Sequence, residues 1–255
     1  MRPDPKQIHR DTSAIFLDVD GTLVEIRDRP EDVHADTELI SLLEELLALF
    51  NGAVALVSGR SIKDIDRIFG GVVFPAVGAH GAELRQATTI AGAQPPEPLP
   101  EQVIERLQVF AEPYDGLQLE HKQGGISLHY RRAPELAPQC RLLVGELMSQ
   151  LETDFRLIEG KMVFEIAPRQ HNKGEAIRQL LGTETFKDRT PVFVGDDVTD
   201  EDGFTVVNAL DGQSIRVGDD APTKARYALD DVADVRDWLA SIVAVNKNSS
   251  LQPEQ

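Results

Sequence analysis

Uninterrupted apolar runs alternate with amphipathic stretches at both ends of the chain. Ala14-Ile15-Phe16-Leu17 carries no polar residue, as a strand buried on both faces requires, and it empties into Asp18-Val19-Asp20-Gly21-Thr22-Leu23. Over residues 36–49, Leu39, Ile40, Leu42, Leu43, Leu46, Leu47 and Leu49 recur at helical spacing, which predicts an amphipathic helix stopped by Asn51-Gly52. A second buried strand is predicted over 53–57, ending in Ser58-Gly59-Arg60, with a helix over 61–69. A third apolar piece, 72–77, leads into Gly78-Ala79-His80-Gly81. Strands and helices in alternation predict an α/β fold with a doubly wound, Rossmann-like parallel sheet.

The pattern breaks at the proline-rich stretch 93–100, which can be neither helix nor central strand. Beyond it the spacing predicts a helix over 101–111 and a hairpin of 117–122 and 126–131 turning at Gly124-Gly125. A second helix over 134–151 follows, then a hairpin of 155–158 and 162–166 turning at Glu159-Gly160. Helix, hairpin, helix, hairpin is a small α+β unit, so the expectation is an inserted domain over 85–167 within a core made of 1–84 and 168–255. The core pattern resumes with Asn172 capping a helix that runs to Leu181, then strands over 191–194 and 214–217 and a closing helix over 231–243. A polar, frayed tail is expected from 246 to 255.

Composition narrows the function classes. The net charge of −17 argues against nucleic acid as a partner, because neutralising a polyanion needs clustered Lys and Arg. No stretch approaches the ~20 apolar residues of a membrane span, and no leader is expected at Met1-Arg2-Pro3-Asp4-Pro5-Lys6. A single Cys140 cannot form an internal disulfide. Together these features read as a cytoplasmic protein without a membrane or nucleic-acid partner; a monomer is the expected state.

The chemistry collects where strands end. Asp18 and Asp20 lie two apart on extended chain and would project to one side, where adjacent carboxylates call for a cation or a shared proton. Gly21 permits a sharp turn, and Thr22 offers a hydroxyl and an amide to an anion. In a parallel sheet these groups would share one crevice with Ser58, Lys173 and the acidic run Asp196-Asp197 with Asp200. Oxygen donors without thiols suit a hard cation, Mg²⁺ before Ca²⁺, and a cation beside Ser and Lys describes a phosphate site. Each piece has a plainer reading: an Asx-rich turn, a solvated acidic loop, a lysine in solvent, a serine helix cap.

Asp18-x-Asp20-Gly21-Thr22, Ser58, Lys173 and Gly195-Asp196-Asp197, in this order, resemble the four signature motifs of the haloacid dehalogenase superfamily of phosphohydrolases. Finer features are similar to its trehalose-6-phosphate phosphatases: Ser58-Gly59-Arg60, Gly78-x-His80-Gly81, Glu120-x-Lys122, His129-Tyr130-Arg131, Lys161-x-x-x-Glu165, Asn172-Lys173-Gly174, and Thr199-Asp200-Glu201-Asp202. Val19 stands where that family usually has an aromatic residue, and Ala79 where it often has Asn. The resemblance implies a small-molecule sugar phosphate as substrate and hydrolysis of trehalose 6-phosphate through an aspartyl-phosphate, with Asp18 as nucleophile and Asp20 as general acid and base. Mg²⁺ would be held by Asp18, the Asp20 main-chain carbonyl and Asp196, with Asp197 and Asp200 as ligands or close by. Ser58 and Lys173 would hold the phosphoryl oxygens. The inserted domain would act as a cap whose Glu120, Lys122, Arg131, Lys161 and Glu165, with Arg60 from the core, bind the sugar. Cross-strand charge pairing is the plain alternative for these, and His80 could serve only to order its own loop. A phosphatase for another sugar phosphate such as sucrose phosphate, a sugar phosphomutase, or a non-catalytic sensor remain competing readings.

Overall fold

The first apolar run forms β1 (Ser13–Leu17), every residue of it buried, in the computed structural model. The structure describes residues 1–27, 29–86, 90–92, 98–122, 124–151, 154–160, 162–169, 172–218 and 222–249; Lys161 and the side chain of His80 fall outside it. After β1 come α1 (Thr37–Leu49), β2 (Val54–Val57), α2 (Ile62–Ile68), β3 (Ala76–Gly78), β4 (Glu83–Arg85) and β5 (Ile90–Gly92). Next are α3 (Glu101–Ala111), β6 (Gln118–Lys122), β7 (Gly125–His129), α4 (Ala137–Gln150), β8 (Phe155–Gly160) and β9 (Val163–Pro168). The chain ends with α5 (Lys173–Leu181), β10 (Thr190–Gly195), α6 (Glu201–Ala209), β11 (Gln213–Val217), β12 (Tyr227–Leu229) and α7 (Val232–Ser249).

Two compact units result, residues 1–91 with 172–255, and residues 92–171. The first is the doubly wound core expected from the pattern. Its sheet runs β12-β11-β10-β1-β2-β3-β4-β5, parallel from β12 through β3 and antiparallel at β4. The division falls after residue 91, whereas the sequence pattern suggests 84, because β4 and β5 continue the core sheet past β3 before the chain leaves it. Helix α1 packs against α7 and α5 against α6. Right-handed crossovers running in opposite directions from β1 place those two pairs on opposite faces. The strand order reverses at β1, so the crevice beyond its carboxyl end is where an open α/β sheet gathers its ligand groups.

The second unit is a four-stranded antiparallel sheet, β6-β7-β9-β8. Ile126, Leu128, Phe164 and Ile166 turn to one face and share a core with Val103 and Leu107 of α3 and Leu143, Val144 and Leu147 of α4. Its second hairpin turns later than Glu159-Gly160: both residues belong to β8, and Gly160 pairs with Val163. A turn-like dipeptide yields here to continued pairing with β9.

Helix α7 also overrides its composition. Rather than fraying at Asn246, it continues to Ser249, because the Asn246 amide donates to the Ile8 and Ile242 carbonyls (2.9 Å each) and accepts from the Arg10 amide (3.0 Å). Asp36 caps α1 by accepting from the Leu39 amide (2.8 Å) and takes a second bond from Arg236 of α7 (2.5 Å). The cap bond first, then Arg236, hold its carboxyl below the usual range. A lowered carboxylate contributes stability above its unfolded pKa and loses it as pH falls through the folded one. Asp36→Ala is therefore expected to cost about 1 kcal/mol in urea melts at neutral pH. That cost should shrink on acidification; an unchanged cost in acid would mean that the charge is not its source.

Candidate active site

Parallel register brings three strand ends level. Leu17 pairs with Val194 on one side and Leu56 on the other, and the Asp18 amide donates to the Val194 carbonyl (3.0 Å). Asp18, Ser58 and Asp196 each follow directly on, or just beyond, the last paired residue of β1, β2 and β10. Lys173 comes from a fourth direction, the first turn of α5, whose amino end Asn172 caps through the Glu175 amide (2.8 Å).

Lys173 is buried, and its ammonium donates to Asp18 Oδ1 and to Asp200 Oδ1, both at 2.6 Å. Burial alone would push its pKa down, yet the two carboxylates outweigh it and hold the ammonium protonated above the usual lysine range. This accounts for a lysine at the positive end of a helix dipole. Asp200, fully buried, also accepts from the Asp196 amide (3.0 Å) and the Asp197 amide (2.9 Å), so it builds the turn that carries the acidic run. That role is legible only in hindsight: Asp200 lies one helical turn after Asp196, but nothing in the spacing singles it out as the second partner of Lys173.

Do these residues fit a divalent cation? Carboxylate oxygens of Asp18, Asp196 and Asp200 lie within 4.8 Å of one another. Among the described residues one ammonium faces three carboxylates, and Asp196 Oδ1 is buried without a hydrogen-bond partner. Burial raises the Asp18 pKa well above the usual carboxylate range, Lys173 notwithstanding, and burial followed by Asp200 lifts Asp196 to about 6. A site so short of positive charge and lined only by oxygen fits a hard cation. Gly21, at φ +78°, belongs to the same geometry: a Cβ there would fall on the Asp196 carboxylate. The room Gly21 leaves is thus filled by a protein carboxylate.

The remaining expected groups divide. Ser58 is buried, and its Oγ accepts from the Arg60 amide (3.1 Å), which leaves its O–H free to donate. Thr22 is buried beside Asp18, with its hydroxyl 3.4 Å from Oδ2. Asp20 stands apart from the three-carboxylate cluster and accepts two bonds from Arg60, at 2.6 and 2.7 Å. Asp197 is exposed and caps its own turn by accepting from the Val198 amide (2.6 Å). Ala79, at φ +48°, occupies the left-handed region that Asn tolerates better.

In the second unit, Glu120, Ser127 and Glu165 lie in one row across β6, β7 and β9. Glu165 is buried and accepts from Lys122 Nζ (2.5 Å) and Ser127 Oγ (3.1 Å), while Glu120 meets His129 at 2.8 Å. Arg131 is exposed just past β7. Among the described residues of the expected set, Glu120, Lys122 and Glu165 share this face, opposite the apolar one.

A family model for trehalose-phosphatases matches residues 16–233. The trehalose-6-phosphate phosphatase of Escherichia coli (strain K12) is 39% identical over 232 residues, 90% of this chain and 86% of that protein. A crystal structure of a trehalose-6-phosphate phosphatase related protein, 28% identical, superimposes with a TM-score of 0.73 over 93% of this chain and 100% of the other. A haloacid dehalogenase-like hydrolase from Bacteroides thetaiotaomicron, 15% identical, shares the fold (TM-score 0.65, 91% and 100% covered). Matched over most of its length by the family model, built on a haloacid dehalogenase-type core, and carrying Asp18 and Asp196 at the ends of adjacent strands with Lys173 at the start of α5, the chain belongs to the trehalose-phosphatase family and is a phosphoric monoester hydrolase.

Proposed function

We propose that this phosphatase hydrolyses trehalose 6-phosphate to trehalose and phosphate, the last step of trehalose biosynthesis, through an aspartyl-phosphate on Asp18. The observation that carries this reading is the buried Lys173 held between Asp18 and Asp200 beside the unpartnered Asp196 oxygen. Only an anion that arrives with a cation suits such a place, and the substrate is the one named for the E. coli relative. Asp18 and Asp196, with Asp200 beside them, would hold Mg²⁺, and the family motif adds the Asp20 main-chain carbonyl and Asp197. When bound, Mg²⁺ supplies the positive charge that lets phosphoryl oxygens approach three carboxylates.

An Asp18 oxygen bonds to phosphorus as the bond from phosphorus to the sugar oxygen breaks, and Asp20 gives that oxygen a proton. Asp20 then takes a proton from water as the water oxygen bonds to phosphorus and the Asp18–phosphorus bond breaks. The Ser58 O–H, the Lys173 ammonium, and the amide and hydroxyl of Thr22 bind the phosphoryl oxygens during both steps. The enzyme works in the cytoplasm as a monomer on a small sugar phosphate, without nucleic-acid or membrane partners. The net charge of −17 weighs against a nucleic-acid partner, and among the described residues no helix is long and apolar enough to cross a membrane.

Sugar recognition falls, by the family motif, to Glu120, Lys122, Arg131, Lys161 and Glu165. Glu165→Ala is expected to lower kcat/KM for trehalose 6-phosphate by about 10- to 100-fold, the loss of a hydrogen bond to a charged group. Hydrolysis of p-nitrophenyl phosphate should change little. Equal losses on both would assign Glu165 to the fold, where it already holds Lys122 and Ser127. Product analysis with Mg²⁺ tests the reaction itself: stoichiometric free phosphate is expected, whereas a rearranged sugar phosphate marks a mutase and neither product a sensor.

A further inference from the structure

Arg60, which the family motif assigns to the substrate, is committed elsewhere. Its Nε and one terminal nitrogen donate to the two oxygens of Asp20 at 2.6 and 2.7 Å, a bidentate pair that fixes both the position and the tilt of that carboxylate. The other terminal nitrogen donates to the Pro30 carbonyl (3.1 Å). Pro30 is itself held by Arg67 of α2 (3.1 Å), which also donates to the Glu31 carbonyl (2.9 Å), so the far end of the guanidinium rests on an anchored turn.

The backbone of Arg60 is fixed as firmly. Its amide donates to Ser58 Oγ (3.1 Å) and its carbonyl accepts from the Ala79 amide (2.7 Å). Behind that carbonyl Gly78 leaves no room for a side chain, since a Cβ would stand 2.9 Å from the Arg60 oxygen and 2.8 Å from the Ile62 amide nitrogen. The Arg60 side chain is only 16% exposed, against 30% for Asp20. An arginine that binds sugar would keep its fork open to the ligand. This one closes its fork on Asp20 and is buttressed from both sides.

We infer that Arg60 is a positioning residue that orients the Asp20 carboxylate for proton transfer. It acts through Asp20 and makes no contact with the sugar on which the reaction depends. The inference rests on the acid and base role proposed for Asp20. Proton transfer is sensitive to placement at the ångström scale, so releasing a two-point hold should lower kcat and leave substrate affinity nearly as it was.

A double-mutant cycle on the full chain with Mg²⁺ tests this, using Arg60→Ala, Arg60→Lys, Asp20→Asn and the two double variants. Arg60→Ala is expected to lower kcat on trehalose 6-phosphate by about 10- to 100-fold with KM within about threefold. Arg60→Lys, which keeps the charge but loses the fork, should recover only part of that. In the Asp20→Asn background neither Arg60 substitution should cost more than about twofold. A rise in KM with kcat unchanged, or losses that multiply with that of Asp20→Asn, would overturn the inference in favour of direct substrate binding. Should Arg60→Ala not fold, the cycle with Arg60→Lys decides in the same way. The role of Asp20 is tested separately: if Asp20→Asn alone retained full kcat, that assignment fails, whatever the Arg60 variants do.

Discussion

Asp18→Asn is expected to abolish turnover while leaving a folded protein that melts no lower than wild type. The two halves of this result have one cause. Burial and the neighbouring Asp200 and Asp196 disfavour a charge at Asp18, and Lys173 is the main group that opposes them. A neutral, isosteric amide relieves that repulsion, and Lys173 keeps its bond to Asp200. The amide is nevertheless no nucleophile, and kcat should fall by at least about 10³-fold. Phosphate release and a thermal melt measure both halves. Acid quench of wild type with labelled substrate should trap phosphate on protein, and the variant should trap none. A variant retaining a tenth of the wild-type rate would end the aspartyl-phosphate reading.

Which parts of this site could be read along the chain follows from how local their causes are. Asp18, Ser58, Asp196 and the capping Asn172 stand at the ends of strongly patterned elements, where the pattern puts them, whereas Asp20 stands apart from Asp18, held by Arg60. Helix α6 was hidden by its own acidic start, which reads as a solvated loop, although Phe204, Val206 and Val207 beneath it are buried. The three-residue strands β4, β5 and β12 are too short to show a period. Arg85 of β4 illustrates what replaces the missing pattern. Its buried guanidinium donates to both oxygens of Asp66 (2.7 and 2.8 Å) and to the Phe74 carbonyl (2.9 Å), fastening the strand by contacts 19 and 11 residues away. The links from Arg60 to Asp20 and from Lys173 to Asp200 are of this kind, spanning 40 and 27 residues. Spacing predicts which groups converge; it does not predict which of them pair.

Those pairings leave an imbalance of charge, and from it comes the largest response expected of the wild-type enzyme. Chelation of divalent cations should stop phosphate release completely; Mg²⁺ should restore it, and Zn²⁺, which prefers nitrogen and sulfur, should restore it poorly. Stability offers a readout independent of turnover. Asp18 and Asp196 have pKa values raised in the folded protein, Asp196 from 3.8 to about 6. A group with a raised folded pKa binds more protons native than unfolded, so the metal-free protein should lose stability as pH rises through that interval and regain none above it. Cation binding replaces those protons. The gain from Mg²⁺ should therefore be greatest at neutral pH and fade towards pH ~4, where protons compete for the same oxygens. At a hundredfold excess over Kd it should reach about 2.7 kcal/mol. For a chain of this size that is a Tm rise of roughly 5–10 °C. Asp196→Asn should abolish the rise and raise the metal-free Tm at neutral pH, since it removes a part-buried charge whose burial and neighbouring Asp200 outweigh the attraction of Lys173. Full activity in excess chelator, or a Mg²⁺-induced rise in Tm that survives Asp196→Asn unchanged, would remove Asp196 from the metal site.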